Sequence, residues 1–188
     1  KWRKDFPFYW VQLANYMDAV EVPSESLWAQ VREAQTQTLS LSHTGQAVII
    51  DIGEAKDIHP KNKQEVGRRL ALHALHNDYG FSDVVCESPM PKTVRRVQDK
   101  IVVQFDNVAD GLIVKNKYGY LMSFAVAGND GVYKWVQAKV AGKDRVVLSC
   151  PDVIDPVSVR YAWGDNPDDA NLYNSVGLPA TPFEIRIE

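Results

Sequence analysis

The chain has 188 residues, 45% of them hydrophobic, with a formal net charge of -3 and a pI near 5.8. This is enough for one domain or two small ones, while lysines and arginines scattered along an acidic chain exclude a broad basic face for nucleic acid. No run approaches the roughly 18 apolar residues of a membrane-spanning helix, the start lacks the basic and apolar regions of a secretion signal, and Cys86 and Cys150 are too few for a disulfide framework or a zinc knuckle.

The opening "KWRKDFPFYWVQLANY" has no initiator Met and enters an apolar run almost at once, the pattern of an interior start, so the chain is expected to be a fragment. Residues 6–14, rich in aromatic and β-branched side chains, predict a strand buried on both faces. Ser24 predicts the cap of a helix reaching about Thr38, with Glu25 in its first turn and Leu27, Val31 and Ala34 as its apolar stripe. "QAVIIDIG" predicts a second buried strand over residues 47–51, with Gly53 just past it. "DIGEAKDIHPKNK" then leads into a second helix, with Pro60 at its first position and Val66, Leu70 and Ala74 opposite Lys61 and Arg68; Gly80 ends it. Strand, helix, strand, helix is the order of a doubly wound α/β layer. Two helices cannot cover both faces of such a sheet, so preceding sequence, in the same polypeptide or as a separate chain, is expected to complete it.

Beyond "YGFSDVVCESPMPKT" the period changes. "KIVVQFDNV", "GLIVKN", "YLMSFAVAG", "VYKWVQAKVAG", "RVVLSCPDV" and "VSVRYAW" are short β-rich runs separated by turn residues, the signature of an antiparallel sandwich-like unit. Pro89 and Pro91 mark a linker region, which puts an α/β part at residues 1–82 and a β-rich accessory domain at residues 83–188. The last stretch is loop-rich and closes on the strand-like "FEIRI".

Ligands of open α/β sheets sit beyond the carboxyl ends of the strands, where His59 falls. An imidazole there can take a proton from a hydroxyl nucleophile and return it to a leaving group, given a carboxylate to fix its tautomer; Asp57 is the nearest acid. Local pattern also allows a plain reading in which His59, Asp57 and Glu54 only cap a helix N-terminus. His73 and His76 lie three apart with no third ligand at fitting spacing, so no metal site is expected, and His43 sits in a turn. Lys61, Lys63, Arg68 and Arg69 form a solvated basic face or a carboxylate clamp. Gln12 and Asn15, at the end of the first strand, could reach the sheet's carboxyl edge or satisfy loop backbone. Arg160 and Trp163 could line a sugar site or serve packing and an ion pair.

Three stretches, "PFYWVQLANY", "DIGEAKDIHPKNKQEVGRRLA" and "VRYAWGDNPDDANLYNSVGLPATPF", resemble in content and order the carboxyl-terminal portion of the sialate O-acetylesterase family, whose catalytic domain belongs to the SGNH hydrolases. The resemblance implies a serine esterase that removes acetyl groups from sugars. Its fold would be α/β, part of a doubly wound SGNH-hydrolase-like parallel sheet followed by an antiparallel β-rich sandwich-like domain. It makes His59 the catalytic histidine and Asp57 its acid, with Asp51 as the alternative, because SGNH enzymes commonly place the acid three residues before the histidine, where this chain has Lys56. On the reading of the residues themselves, Gln12, Arg160 and Trp163 are the candidate substrate contacts. The nucleophilic serine and the oxyanion hole belong to earlier blocks of the family, so the amino-terminal part of the enzyme is the implied partner; Ser24, Ser26, Ser40 and Ser42 are poor substitutes. The reaction calls for an acetylated carbohydrate substrate and for no cofactor or metal, and the family implies a secreted, periplasmic or lysosomal setting. The alternative is a non-catalytic carbohydrate-binding or interaction module.

Overall fold

In the computed structural model, which describes residues 6–188, two parallel strands and two helices precede a larger antiparallel β structure; residues 1–5 of the opening stretch lie outside the described range. Strand β1 (Phe8–Val11) pairs in parallel with β2 (Thr44–Ala47), Phe8 opposite Thr44 and Val11 opposite Ala47. Both are shorter than their apolar runs. The ladder extends by one bond, from the Gln12 amide to the Ala47 carbonyl at 2.9 Å, and Val48, Ile49 and Ile50 continue without a partner strand among the described residues although each is only 2% exposed.

Helix α1 (Leu27–Gln37) is capped by Ser26, whose hydroxyl accepts from the Ala29 amide at 2.9 Å, so Ser24 and Glu25 fall outside it. Its expected apolar stripe is reversed: Leu27 and Val31 are 79% and 47% exposed, whereas Ala29 and Arg32 are fully buried. The physical reason is that backbone carbonyls converge on the Arg32 guanidinium, and the small Ala29 lets the helix approach them. Helix α2 (Lys63–Asn77) is capped by Asn62, which leaves Pro60 in the preceding loop. It too buries polar residues, Arg69 and His73, while Val66, Leu70 and Ala74 are only half-buried.

The remaining strands are β3 (Met90–Val97), β4 (Lys100–Asp106), β5 (Leu112–Val114), β6 (Phe124–Ala127), β7 (Tyr133–Trp135), β8 (Gln137–Ala141), β9 (Arg145–Ser149), β10 (Ser158–Tyr161), β11 (Leu172–Asn174) and β12 (Phe183–Arg186). They form two four-stranded antiparallel sheets, ordered β12-β10-β6-β7 and β3-β4-β9-β8, and the pair β11-β5. Ile101, Val103 and Phe105 from one sheet, and Val126, Val159 and Phe183 from the other, share one apolar core that also takes in Val48 and Ile50. The expected linker at Pro89 and Pro91 runs directly into β3. Pro91 is tolerated there because β3 is an edge strand and its register shifts between Pro91 and Thr93. The run "VYKWVQAKVAG" is two strands, β7 and β8, in different sheets.

Candidate active site

His59 stands in the loop that joins the buried segment 48–50 to α2, its side chain 83% exposed. Asp57 reaches it in two ways. One Asp57 carboxylate oxygen accepts the His59 backbone N–H at 2.9 Å, and the same oxygen lies 3.4 Å from Nδ1 of the ring. The backbone bond, foremost, holds the Asp57 carboxyl below the usual range, aided by the nearby ring and Lys61. The carboxylate therefore closes a turn within the loop and stands beside the imidazole, while Asn62 and not Asp57 caps α2. Lys61 pairs with Glu54 at 2.6 Å across the same loop.

Asp51 is occupied elsewhere. Its two oxygens accept from the Arg69 guanidinium at 2.6 and 2.9 Å, and Tyr173 donates its hydroxyl at 3.2 Å. Arg69 also donates to the Val48 carbonyl and to Glu65. The basic face expected on α2 is therefore largely paired: Arg69 inward with Asp51, Arg68 along the surface with Glu65. Of the other histidines, His73 is packed, with Nε2 3.0 Å from the Gln46 carbonyl and its ring stacked on Tyr9, and His76 contacts the Val84 carbonyl at 2.7 Å.

The loop is fixed by a network that pattern reading only brushed. The Asn15 side-chain oxygen accepts the Gly53 N–H at 2.7 Å, and its amide donates to Asn166 at 2.7 Å; Asn166 in turn donates to the Met17 carbonyl, and the Met17 N–H to the Ala55 carbonyl. Beneath it Arg32, wholly buried, donates to the carbonyls of Leu13, Ala14, Gly164 and Asp165 at 2.6 to 2.8 Å. Burial pulls Arg32 down to about 10, which leaves it charged at neutral pH. A lone arginine beside Ala29 was the only sequence signal for this clamp.

Three expected substrate contacts divide. Gln12 is fully buried and donates to the Arg32 carbonyl and the Thr36 hydroxyl, so it faces α1 and not an open surface. Arg160 is 5% exposed, paired with Glu184 at 2.8 Å and Glu25 at 2.7 Å, and covered by the Tyr133 ring, the ion-pair arrangement that the sequence also allowed. Trp163 does line a groove, at a distance in sequence from the His59 loop. No serine among the described residues hydrogen-bonds to His59. Both cysteines are free and buried, and burial pushes Cys86 up to about 11, far from a thiolate at neutral pH.

No protein-family model matches the chain. Curated proteins do. It is 28% identical over 204 residues to the sialate O-acetylesterase of Mus musculus, covering 97% of this chain and 36% of the relative. The Homo sapiens sialate O-acetylesterase matches at 28% over 197 residues, 95% of this chain and 36% of the relative. The crystal structure of a carbohydrate acetylesterase from Xanthomonas citri superposes with a TM-score of 0.87 at 45% identity, over 95% of this chain and 41% of that one. The chain is a homologue of the sialate O-acetylesterases. It spans about a third of the length of the curated relatives it matches, and its fold, a small parallel pair with mostly antiparallel sheets, is shared with a carbohydrate acetylesterase.

Proposed function

We propose that this chain supplies the histidine and the acid of a serine-type carbohydrate O-acetylesterase, acting on sugars such as acetylated sialic acids or hemicellulose residues. The observation that carries the reading is the exposed His59 ring with Asp57 at 3.4 Å, on a loop anchored by Asn15 and Asn166. His59 takes the proton of a serine hydroxyl as that oxygen attacks the acetyl carbonyl, then gives it to the departing sugar oxygen. Water, activated by the same ring, releases acetate from the acetyl-enzyme. Asp57 orients the imidazole and steadies its charged form.

In this reading the serine and the oxyanion hole come from the amino-terminal part of the enzyme, an SGNH-type sheet to which β1 and β2 add their edge. Residues 1–82 would belong to that catalytic unit and residues 83–188 to an accessory β domain. The exposed Phe8, Leu27 and Val31 are apolar surface fit to be covered by it. No helix among the described residues is long and apolar enough to cross a membrane, and we place the enzyme in a secreted, periplasmic or lysosomal setting.

The test is His59→Ala in the complete enzyme. Hydrolysis of acetylated sugars should fall by about a thousandfold or more, as loss of a triad base does, with an unchanged melting temperature because the side chain is exposed. Activity above about a tenth of wild type would overturn the assignment.

A further inference from the structure

A groove of about 310 Å3 lies between the loop at residues 19–21, the end of β7 and residues 163–169, within the about 300–1,000 Å3 of small-molecule sites. Trp135 and Trp163 stand in its wall. Trp135 is 42% exposed and held in place by its indole N–H, which donates to the Glu21 carbonyl at 2.9 Å. Trp163 is 94% buried, and its indole N–H has no hydrogen-bond partner in the protein. A buried donor without a partner is uncommon enough to need a ligand or a water. The ionisable lining is all of one sign: Glu21, Asp168 and Asp169, with no lysine, arginine or histidine among the described residues. Arg160, which stacks behind Trp163, is already neutralised by Glu25 and Glu184.

We propose that this groove binds a neutral saccharide, with the apolar face of a sugar ring against Trp135 and its hydroxyls donating to Asp168 and Asn166. The choice of a saccharide rests on the carbohydrate-esterase reading; the choice of a neutral one rests on charge. Three carboxylates with no cation repel the carboxylate of a sialic acid, whereas sugar hydroxyls are donors that carboxylates accept well. A bound metal does not account for the acids, since no group of three or more His, Cys, Asp or Glu is placed to hold one among the described residues. Asp169 is in addition occupied by the Ser123 hydroxyl. Asn166, which lines the groove, also bonds Asn15 and Met17, and these hold Gly53 and Ala55 of the His59 loop. The substrate favoured among those named above is then a neutral, hemicellulose-type glycan.

The experiment is a calorimetric titration of the complete enzyme with xylotetraose, cellotetraose and N-acetylneuraminic acid. At least one neutral tetrasaccharide is expected to bind, N-acetylneuraminic acid at least tenfold more weakly, and Trp135→Ala is expected to weaken the neutral sugar tenfold or more. Silence with both tetrasaccharides, an equal or tighter sialic acid, or a Trp135→Ala protein that binds as wild type would each overturn the groove. If Trp135→Ala has lost its cooperative melt, Asp168→Asn at an exposed position carries the same test, with at least a threefold loss expected and no loss overturning it. The titration reads binding and not hydrolysis. Its failure leaves the His59 assignment standing, and an active His59→Ala enzyme leaves the groove standing.

Discussion

Arg69 grips Asp51 through two parallel hydrogen bonds of 2.6 and 2.9 Å, with the arginine side chain 5% and the aspartate side chain 11% exposed. A carboxylate held this way has no oxygen directed to His59, and removing it leaves the buried guanidinium with Glu65 and the Val48 carbonyl and the Tyr173 hydroxyl without its acceptor. Asp51→Ala is therefore expected to destabilise the fold by about 1–3 kcal/mol, measured by denaturant melts of the complete protein. A loss below about 1 kcal/mol would place the pair among weak surface contacts.

Asp57→Asn is the complementary case. Because the aspartate side chain is 44% exposed and asparagine can still accept the His59 N–H, its replacement should leave the melt within about 0.5 kcal/mol of wild type while lowering kcat on acetylated sugars by about a hundredfold or more, less than His59→Ala does. Full activity in Asp57→Asn together with inactivity in a folded Asp51→Asn would move the acid to Asp51.

Gly53 tolerates no side chain. A Cβ there would collide with the carbonyl and side-chain oxygens of Asn15, which is backbone and a short, fully engaged amide. Gly53→Ala should push the His59 loop off Asn15 and reduce kcat by at least tenfold with a smaller effect on KM, since the misplaced group acts in the transition state. Unchanged steady-state kinetics would show that the loop does not depend on this contact.

Arg32→Met keeps much of the side-chain volume and deletes the clamp. The Ala14 carbonyl retains the Trp28 indole and the Asp165 carbonyl retains the Tyr16 N–H, so the carbonyls of Leu13 and Gly164 are the ones left without a donor. At about 1–3 kcal/mol for each buried orphan, the expected loss is about 2–6 kcal/mol. Hydrogen exchange at residues 13–17 and 164–166 should rise together, and a rise confined to one segment would contradict the clamp.

Burial lowers His73 below its ordinary value, opposed only in part by the Gln46 carbonyl. A base whose folded value is depressed keeps the neutral form in the native state while the unfolded chain takes up a proton from about pH 6.5 downward. Stability from this group is complete above that pH and is lost as pH falls toward the folded value. Plots of unfolding free energy against pH should slope down between pH 7 and 5, and His73→Asn should flatten that slope. An identical slope in the variant would assign it to other groups.

Alternation made most of the β structure legible: Ile101, Val103 and Phe105 on β4 and Val146 and Leu148 on β9 point inward at every second position, as their sequences require. The His59 turn was equally readable, since a histidine between an apolar run and a helix is a local pattern. What pattern could not show is that both helices bury cations. Arg69 read as part of a solvated basic face and no pattern marked Arg32 or His73 as buried: Arg32 and His73 bond backbone carbonyls at residues 13, 14, 46, 164 and 165, which leave no mark in a sequence, and Arg69 takes Asp51 from outside its own helix. The exposed Leu27 and Val31 misled for the opposite reason, as apolar stripes whose cover is not among the described residues. β3 was hidden by Pro91, which an edge strand accepts.

The bond between Asn15 and Asn166 joins positions 151 residues apart. Contacts of such long sequence separation form late, because the connecting loop must close before they contribute. During synthesis, at about 5–20 residues per second, the histidine turn is complete well before its brace has been translated. A nascent chain halted before residue 164 would carry every atom of the His59 loop and none of Gly164, Asp165 or Asn166 that tether it. The order of translation thus delays a rigid histidine turn until the closing β strands are being made.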